Sequence, residues 1–297
     1  MILVTGGTGQ IGSRLLLNLT KNKAYKVRAI YRNTQSLEKI RQLFVKHSDS
    51  GTTQFDTIEW IQTDLSNIPA LEKAFEGVTF VFHCAGLISF QPQDFDKLIE
   101  VNVQGTANIV NLSIDFGVKK LCYVSSVATL STLPHTPIDE ENDWNNEDNN
   151  TDYAISKHGA EMEVWRGSQE GLPVVIVNPS VVLGGDFTDR GSGLLYKKVA
   201  DGLRYYPAGA TGFVGVDDVV RAMVQLQFSE VEGERFVLNA ENLTYKAVLE
   251  RIANQLGVKA PTKRVSHQML RFLARLDGVL SFLHLKKRTL TLASADA

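Results

Sequence analysis

Tyr153 and Lys157 stand four residues apart in the run Tyr153-Ala154-Ile155-Ser156-Lys157. On a helix that spacing puts a phenol and an ammonium on one face. A free phenol titrates near pH ~10 and is a poor acid–base group at neutrality. A neighbouring cation favours the phenolate and brings the phenol toward proton-transfer work. Upstream, the apolar run Leu121-Cys122-Tyr123-Val124 ends in two hydroxyls, Ser125 and Ser126. At the carboxyl end of a central strand such hydroxyls meet ligands, and one of them is suited to orient a substrate carbonyl. The other reading of the serine pair is strand-end capping.

A second constellation opens the chain. Thr5-Gly6-Gly7-Thr8-Gly9-Gln10-Ile11-Gly12 follows one apolar run and precedes a helical pattern. Gly6 permits a tight turn, Gly9 lets the backbone approach a pyrophosphate, and Gly12 lets the helix pack close to the strand. The helix N-terminus then offers N–H groups and a favourable dipole to the phosphates. The second apolar run ends at Arg32, where an NAD site carries a carboxylate for the ribose 2′-hydroxyl. An arginine there suits a 2′-phosphate, so NADP is expected ahead of NAD, with Arg14 and Arg28 as candidate neighbours. Asp64-Leu65, after the third run, either brings a carboxylate near the adenine or simply begins a turn.

The elements that must position these residues are legible from apolar patterning. Strands are expected at 2–5, 26–31, 57–61, 79–84, 119–124 and 173–177, with helices at 11–20, 36–46, 69–75, 95–116 and 152–168. Apolar runs with little alternation mark strands buried on both faces, and strand–helix alternation marks an α/β doubly wound parallel sheet of Rossmann type. Residues 1–180 read as the dinucleotide-binding domain. Residues 181–297 read as a smaller substrate-binding lobe, partly interleaved with the sheet. The stretch 134–151, crowded with Asp, Glu and Asn after Asp139, reads as a long surface loop. Of the 297 residues, 43% are hydrophobic and 22% charged, and the net charge of -2 favours neither nucleic acid nor an anionic membrane as partner. Cys84 and Cys122 sit in apolar runs and read as buried hydrophobes, with no disulfide framework or metal site. Met1 to Val4 read as strand rather than a leader. No apolar run reaches the ~20 residues of a membrane helix, and a cytoplasmic setting is the default expectation.

Taken together the motifs resemble an extended short-chain dehydrogenase/reductase of the NAD-dependent epimerase/dehydratase superfamily. They are the Thr-Gly-x-x-Gly-x-x-Gly start, His83-Cys84-Ala85-Gly86, Val101-Asn102, Ser125-Ser126, Tyr153-x-x-x-Lys157, Asn178-Pro179-Ser180 and the run Val214 to Val219. The resemblance implies that Tyr153 is the acid–base and Lys157 its electrostatic partner and ribose ligand. It makes Ser126 the substrate-orienting hydroxyl, with Ser125 in reserve and near the cofactor. It implies that Gly6, Thr8, Gly9, Gln10, Ile11 and Gly12 contact the pyrophosphate, that Ala85, Gly86 and Leu87 line the nicotinamide, and that Pro179 and Ser180 flank it. Asn102 would buttress these loops, and His83 and Cys84 would pack. A homodimer is plausible by the same resemblance.

The segment Asn178-Pro179-Ser180-Val181-Val182-Leu183-Gly184 is similar to the dihydroflavonol-reductase-like and 3β-hydroxysteroid-dehydrogenase-like branch, which reduces ketones or aldehydes or oxidises the alcohols. Val127, Ala128 and Thr129 follow the serines where dehydratases usually carry acidic partners. Phe90, Phe187, Leu194, Leu195, Tyr196, Tyr205 and Tyr206 suit either an apolar carbonyl substrate or simple core packing. The helical pattern at 269–285 suits a pocket cover or dimer contact, and Lys286, Lys287 and Arg288 suit a solvated face. The expected activity is NADPH-dependent reduction of a small carbonyl compound. The rivals are an NAD-dependent sugar-nucleotide epimerase and a non-catalytic NADP-binding sensor.

Overall fold

A computed structural model describes residues 1–131, 137–189 and 191–266. The six expected strands form as β1 (Ile2–Thr5), β2 (Val27–Tyr31), β3 (Glu59–Gln62), β4 (Phe80–His83), β5 (Lys120–Val124) and β6 (Val174–Pro179). Six further strands follow: β7 (Val181–Leu183), β8 (Tyr205–Pro207), β9 (Ala210–Gly215), β10 (Glu234–Leu238), β11 (Glu241–Thr244) and β12 (Lys263–Val265). The helices are α1 (Gln10–Leu19), α2 (Thr34–His47), α3 (Gly51–Asp56), α4 (Ile68–Phe75), α5 (Phe95–Leu98), α6 (Gly105–Asp115), α7 (Asp152–Gln169), α8 (Leu194–Ala200), α9 (Val216–Gln227) and α10 (Tyr245–Leu256).

The main sheet runs β10-β6-β5-β4-β1-β2-β3, with every pairing parallel. This is a doubly wound Rossmann-type sheet. Strand order reverses between β1 and β4, so the carboxyl ends of those two strands open a crevice. Each face is covered by its own apolar layer. Leu15, Leu16 and Leu19 of α1, Phe44 of α2 and Val219 and Met223 of α9 pack on one side. Leu71 of α4, Ile109 and Val110 of α6 and Ala160 and Val164 of α7 pack on the other. Full burial of each such leucine or valine is worth roughly 1.5–3 kcal/mol, which is what holds the crevice rigid. A smaller cluster of Val199, Phe213, Val248, Leu249 and Ile252 joins α8 and α10 to the sheet β11-β9-β7. Strand β10, from the chain beyond residue 181, adds a seventh strand to the main sheet.

Two local features differ from the sequence reading. The single helix expected over 95–116 is interrupted by a π-helical segment, Ile99–Gln104, between α5 and α6. The wider turn brings Asn102 inward to the backbone of Leu87, a site-forming use of a π-bulge. Helix α3 was not expected from its polar sequence. It forms because Gly51 lies against the Phe44 carbonyl, where a Cβ would be 2.1 Å from the oxygen, and because Phe55 packs edge-on to Phe44. No helix among the described residues is long and apolar enough to cross a membrane. The pattern at 269–285 and Lys286, Lys287 and Arg288 lie outside the described residues.

Candidate active site

The glycine turn joins β1 to α1 with backbone contacts that leave no room for side chains. Gly6 has φ of 67°, and a Cβ there would lie 2.6 Å from the Ala85 nitrogen. A Cβ on Gly12 would lie 2.2 Å from the Gly6 oxygen. Gly9 instead meets only the Gly6 oxygen, at 3.2 Å. It is the N-cap of α1, makes no side-chain cap, and no acidic residue occupies the first turn. An uncapped, acid-free helix N-terminus fits a dinucleotide pyrophosphate. Thr8 lies on this turn and Ile11 in the first turn of α1, and Gln10 donates to the Val182 carbonyl at 3.4 Å.

Of the three arginines read near the ribose, one remains available. Arg32 is exposed at the carboxyl end of β2. Arg28 is buried beneath α4, donating to the Ala74 and Glu76 carbonyls at 2.8 and 2.7 Å and to Glu59 at 3.0 Å. Arg14 is held by Asp217 at 2.7 Å and faces Asp186 at 3.6 Å. Both are structural ion pairs and are withdrawn from the 2′-phosphate reading. Asp64 accepts from the Ser66 amide and hydroxyl and the Asn67 amide at 2.9, 2.7 and 3.1 Å. These bonds, led by the Ser66 hydroxyl, hold its carboxyl below the usual range. Asp64 therefore begins a turn, and Leu65 is buried against Gly105.

The Ala85-Gly86-Leu87 loop is pinned from two sides. The Ala85 amide donates to Thr5 Oγ1 at 3.2 Å. Asn102 accepts from the Leu87 amide at 2.7 Å, donates to the Leu87 carbonyl at 3.0 Å and donates to Ser156 of α7 at 2.9 Å. Asn102 is thus the buttress the sequence suggested. Gly6 lies against the Cys84–Ala85 peptide, and Asn102 ties the same loop to Ser156 of α7. The glycine turn and α7 therefore meet at this loop.

The two serines separate cleanly. Ser126 lies two residues beyond β5, accepts from the Ala128 amide at 3.1 Å and hydrogen-bonds the Tyr153 phenol. Ser125 turns the opposite way and donates to the Glu161 carboxylate at 2.5 Å, so its hydroxyl is committed inside α7's packing. Adjacent residues of an extended chain face opposite sides, which is why one serves the crevice and the other the core. Thr151 caps α7, and the Tyr153 ring packs 5.8 Å from Phe90.

Lys157 is 4% exposed, and its ammonium is engaged by β5. It donates to the Tyr123 hydroxyl and, at 2.9 Å, to the Val124 carbonyl. Burial lowers it to about 7, with Glu161 working the other way. Burial raises Tyr153 to about 12, partly offset by the Ser126 hydrogen bond. The sequence expectation of a phenol acidified by its lysine is thus not met here: burial dominates, and Tyr153 stays protonated at neutral pH.

Sequence reasoning missed Tyr123, Glu161 and the His83 network. His83 bridges Thr5 Oγ1 (2.6 Å) and Thr106 Oγ1 (2.9 Å) and stacks on Tyr123. Burial pushes it down to about 3, so it is neutral. Glu161 carried a faint signal, continuing the four-residue step from Tyr153 and Lys157 along α7. Burial raises Cys84, and raises Cys122 to about 12, so neither thiol is a nucleophile at neutrality. Ser180 is turned onto β10, bonding the Leu238 carbonyl and the Asn239 side chain at 3.2 and 3.0 Å, and Pro179 ends β6 beside Leu238. Of the aromatic and apolar residues read as substrate-facing, Phe187, Leu195, Tyr196 and Tyr206 pack in cores. Phe90 is the one shown against Tyr153.

Known proteins resemble this chain in sequence and in fold. The chain is 27% identical to sterol demethylase protein B of Methylococcus capsulatus over 97% of this chain and 84% of that one. It is 28% identical to a putative dihydroflavonol 4-reductase of Synechocystis over 88% and 74%. The crystal structure of the UDP-glucuronic acid 4-epimerase of Bacillus cereus, in complex with UDP-glucuronic acid and NAD, shares the fold. Its TM-score is 0.75 at 20% identity, over 89% of this chain and 86% of that one. The model of the NAD dependent epimerase/dehydratase family matches residues 2–239. The chain belongs to the NAD dependent epimerase/dehydratase family, as an extended short-chain dehydrogenase/reductase.

Proposed function

We propose that this enzyme is an NADPH-dependent reductase of a small ketone or aldehyde. The observation that carries the reading is the pairing of Ser126 with a Tyr153 phenol held protonated at the carboxyl end of β5. Reduction needs a proton donor at the carbonyl oxygen, and a phenol raised to about 12 is in the donor form at neutral pH. Sugar dehydration would need an acid beside the serine, and Val127, Ala128 and Thr129 supply none.

When bound, the nicotinamide supplies hydride to the carbonyl carbon. The residues that would hold the dinucleotide are the turn from Gly6 to Gly12 for the pyrophosphate, Arg32 for the 2′-phosphate, and Lys157 with the Ala85–Leu87 loop at the nicotinamide end. Ser126 and Tyr153 hydrogen-bond the carbonyl oxygen and align it. Tyr153 gives its proton to that oxygen as negative charge builds there. Lys157, as a cation, stabilises the phenolate left behind until it is reprotonated from water. Proton transfer from a positioned group contributes roughly 10²–10⁴ in rate. Phe90 gives the substrate side of Tyr153 an apolar wall, which supports an apolar carbonyl compound over a sugar nucleotide.

The test is a titration of the purified protein with NADPH and with NADH, followed by a panel of carbonyl compounds and alcohols. Tighter NADPH binding with turnover of an apolar carbonyl is the expected result. Preference for NADH, no carbonyl turnover and epimerisation of a UDP-sugar would overturn it.

A further inference from the structure

Glu161 is 1% exposed, on the same stripe of α7 as Tyr153 and Lys157. A buried carboxylate is costly unless its oxygens are fully engaged. Oε2 accepts from Ser125 Oγ at 2.5 Å, Thr129 Oγ1 at 2.9 Å and Asn178 Nδ2 at 3.0 Å, and Oε1 faces Arg235 at 3.4 Å. Asn178 also donates to the Ser126 carbonyl at 3.1 Å. The backbone of Ser126 is therefore tied, through Ser125 before it and Asn178 beside it, to a single side chain.

The same cluster reaches the acidic loop. Arg235 of β10 donates to the Glu140 carbonyl at 2.9 and 2.7 Å and to the Asn142 carbonyl at 3.1 Å. Glu140 in turn accepts from the Val237 amide at 2.7 Å, and Trp144 stacks on His158 of α7 with ring centroids 4.3 Å apart. An apolar side chain of equal volume would fill this space without the desolvation cost. It would give neither direction to three hydrogen bonds from the turn after β5 and from β6 nor a charge one helical turn from Lys157.

We propose that Glu161 is the positioning residue of the active site: its carboxylate sets the place of the Ser126 hydroxyl relative to the Tyr153 phenol and supplies the buried counter-charge to Lys157. The proposal rests on Tyr153, Lys157 and Ser126 being the reacting set. The charged and titratable groups facing Glu161 are Lys157 and His158 on α7, Tyr123 on β5, and Arg235 on β10 with Asp143 3.7 Å beyond it. Glu161 is the negative charge that opposes the lowering of Lys157 by burial.

The test compares wild type with Glu161→Gln and Glu161→Asp in the full chain. The first readout is the titration midpoint of the Lys157 ammonium, followed by NMR of labelled lysine in protein without cofactor. The second is kcat and KM with NADPH and the best carbonyl of the panel. Glu161→Gln is expected to move the Lys157 midpoint down and to cut kcat roughly 10- to 100-fold, with KM changing less than about 3-fold. Glu161→Asp keeps the midpoint near wild type and has an intermediate kcat. A folded Gln variant with wild-type kcat and an unshifted midpoint would overturn the proposal, as would an Asp variant whose midpoint falls as far as that of Gln. If the Gln variant does not fold, the Asp variant decides: reduced kcat at a preserved midpoint supports the role, and wild-type kcat defeats it. If the panel gives no turnover, the reductase reading falls while the Lys157 midpoint still judges Glu161.

Discussion

Alanine at Gly9 and at Gly12 separates ligand binding from packing at the phosphate turn. Gly9 has φ of -91° and ψ of 176°, an extended conformation that alanine adopts freely. Its new methyl would meet only the Gly6 oxygen, at 3.2 Å. Loss of backbone freedom in the unfolded chain and a poorer N-cap act in opposite directions, so the net stability change is within about 1 kcal/mol. The methyl does stand where a pyrophosphate must approach. Losing one hydrogen bond to a charged oxygen costs about 1.5–3 kcal/mol, or roughly 10- to 100-fold in NADPH Kd. Gly12→Ala behaves differently, because a Cβ 2.2 Å from the Gly6 oxygen and 2.8 Å from its carbonyl carbon meets backbone that cannot yield. Helix α1 must shift, at about 1–3 kcal/mol, and both the melting temperature and NADPH affinity fall. Thermal melts without cofactor and fluorescence titration with NADPH measure the two quantities separately. A Gly9→Ala protein with wild-type NADPH Kd would show that no phosphate approaches this turn, and the cradle argument would fail with it.

Three further outcomes are expected. Tyr153→Phe keeps the ring packed beside Phe90 and leaves NADPH binding intact while turnover falls roughly 10²–10⁴-fold; near-wild-type turnover on the true substrate would remove Tyr153 from the chemistry. Arg32→Ala leaves the melting temperature unchanged, because the side chain is exposed, and lowers the NADPH-over-NADH preference by about 10-fold or more; an unchanged ratio refutes the 2′-phosphate reading. His83 titrates at about 3 instead of 6.5 because it is buried, so between those values the unfolded chain binds a proton that the folded chain refuses. Stability therefore falls as pH drops through that window. His83→Gln, which removes the titrating ring and keeps an amide where Nε2 meets Thr106, is expected to flatten that limb in denaturation curves, and parallel limbs would contradict the argument.

The motif residues were legible because their geometry is local. A glycine every third residue between an apolar run and a helix means a tight strand-to-helix turn, and a four-residue step means a shared helix face, wherever the chain lies. The choice between Ser125 and Ser126 was not legible, since neighbouring strand residues face opposite sides and only the packing of α7 says which side is the crevice. The pairing of Arg14 with Asp217 and of Arg28 with the carbonyls that close α4 joins residues 203 and 46 or more positions apart. No periodicity reports on such contacts. The same holds for Tyr123 beneath Lys157 and for Glu161, whose partners come from the turn after β5, from β6 and from β10.

Sequence alone determined the doubly wound sheet, the tight glycine turn after β1 and the Tyr153–Lys157 stripe, because these follow from the repeat of strand and helix and from glycine's missing side chain. Tertiary structure decided which of the two serines meets the Tyr153 phenol, which of the three arginines stays exposed, and the directions in which burial moves Tyr153 and Lys157. Those depend on desolvation and on partners that meet only when distant segments of the chain are packed together.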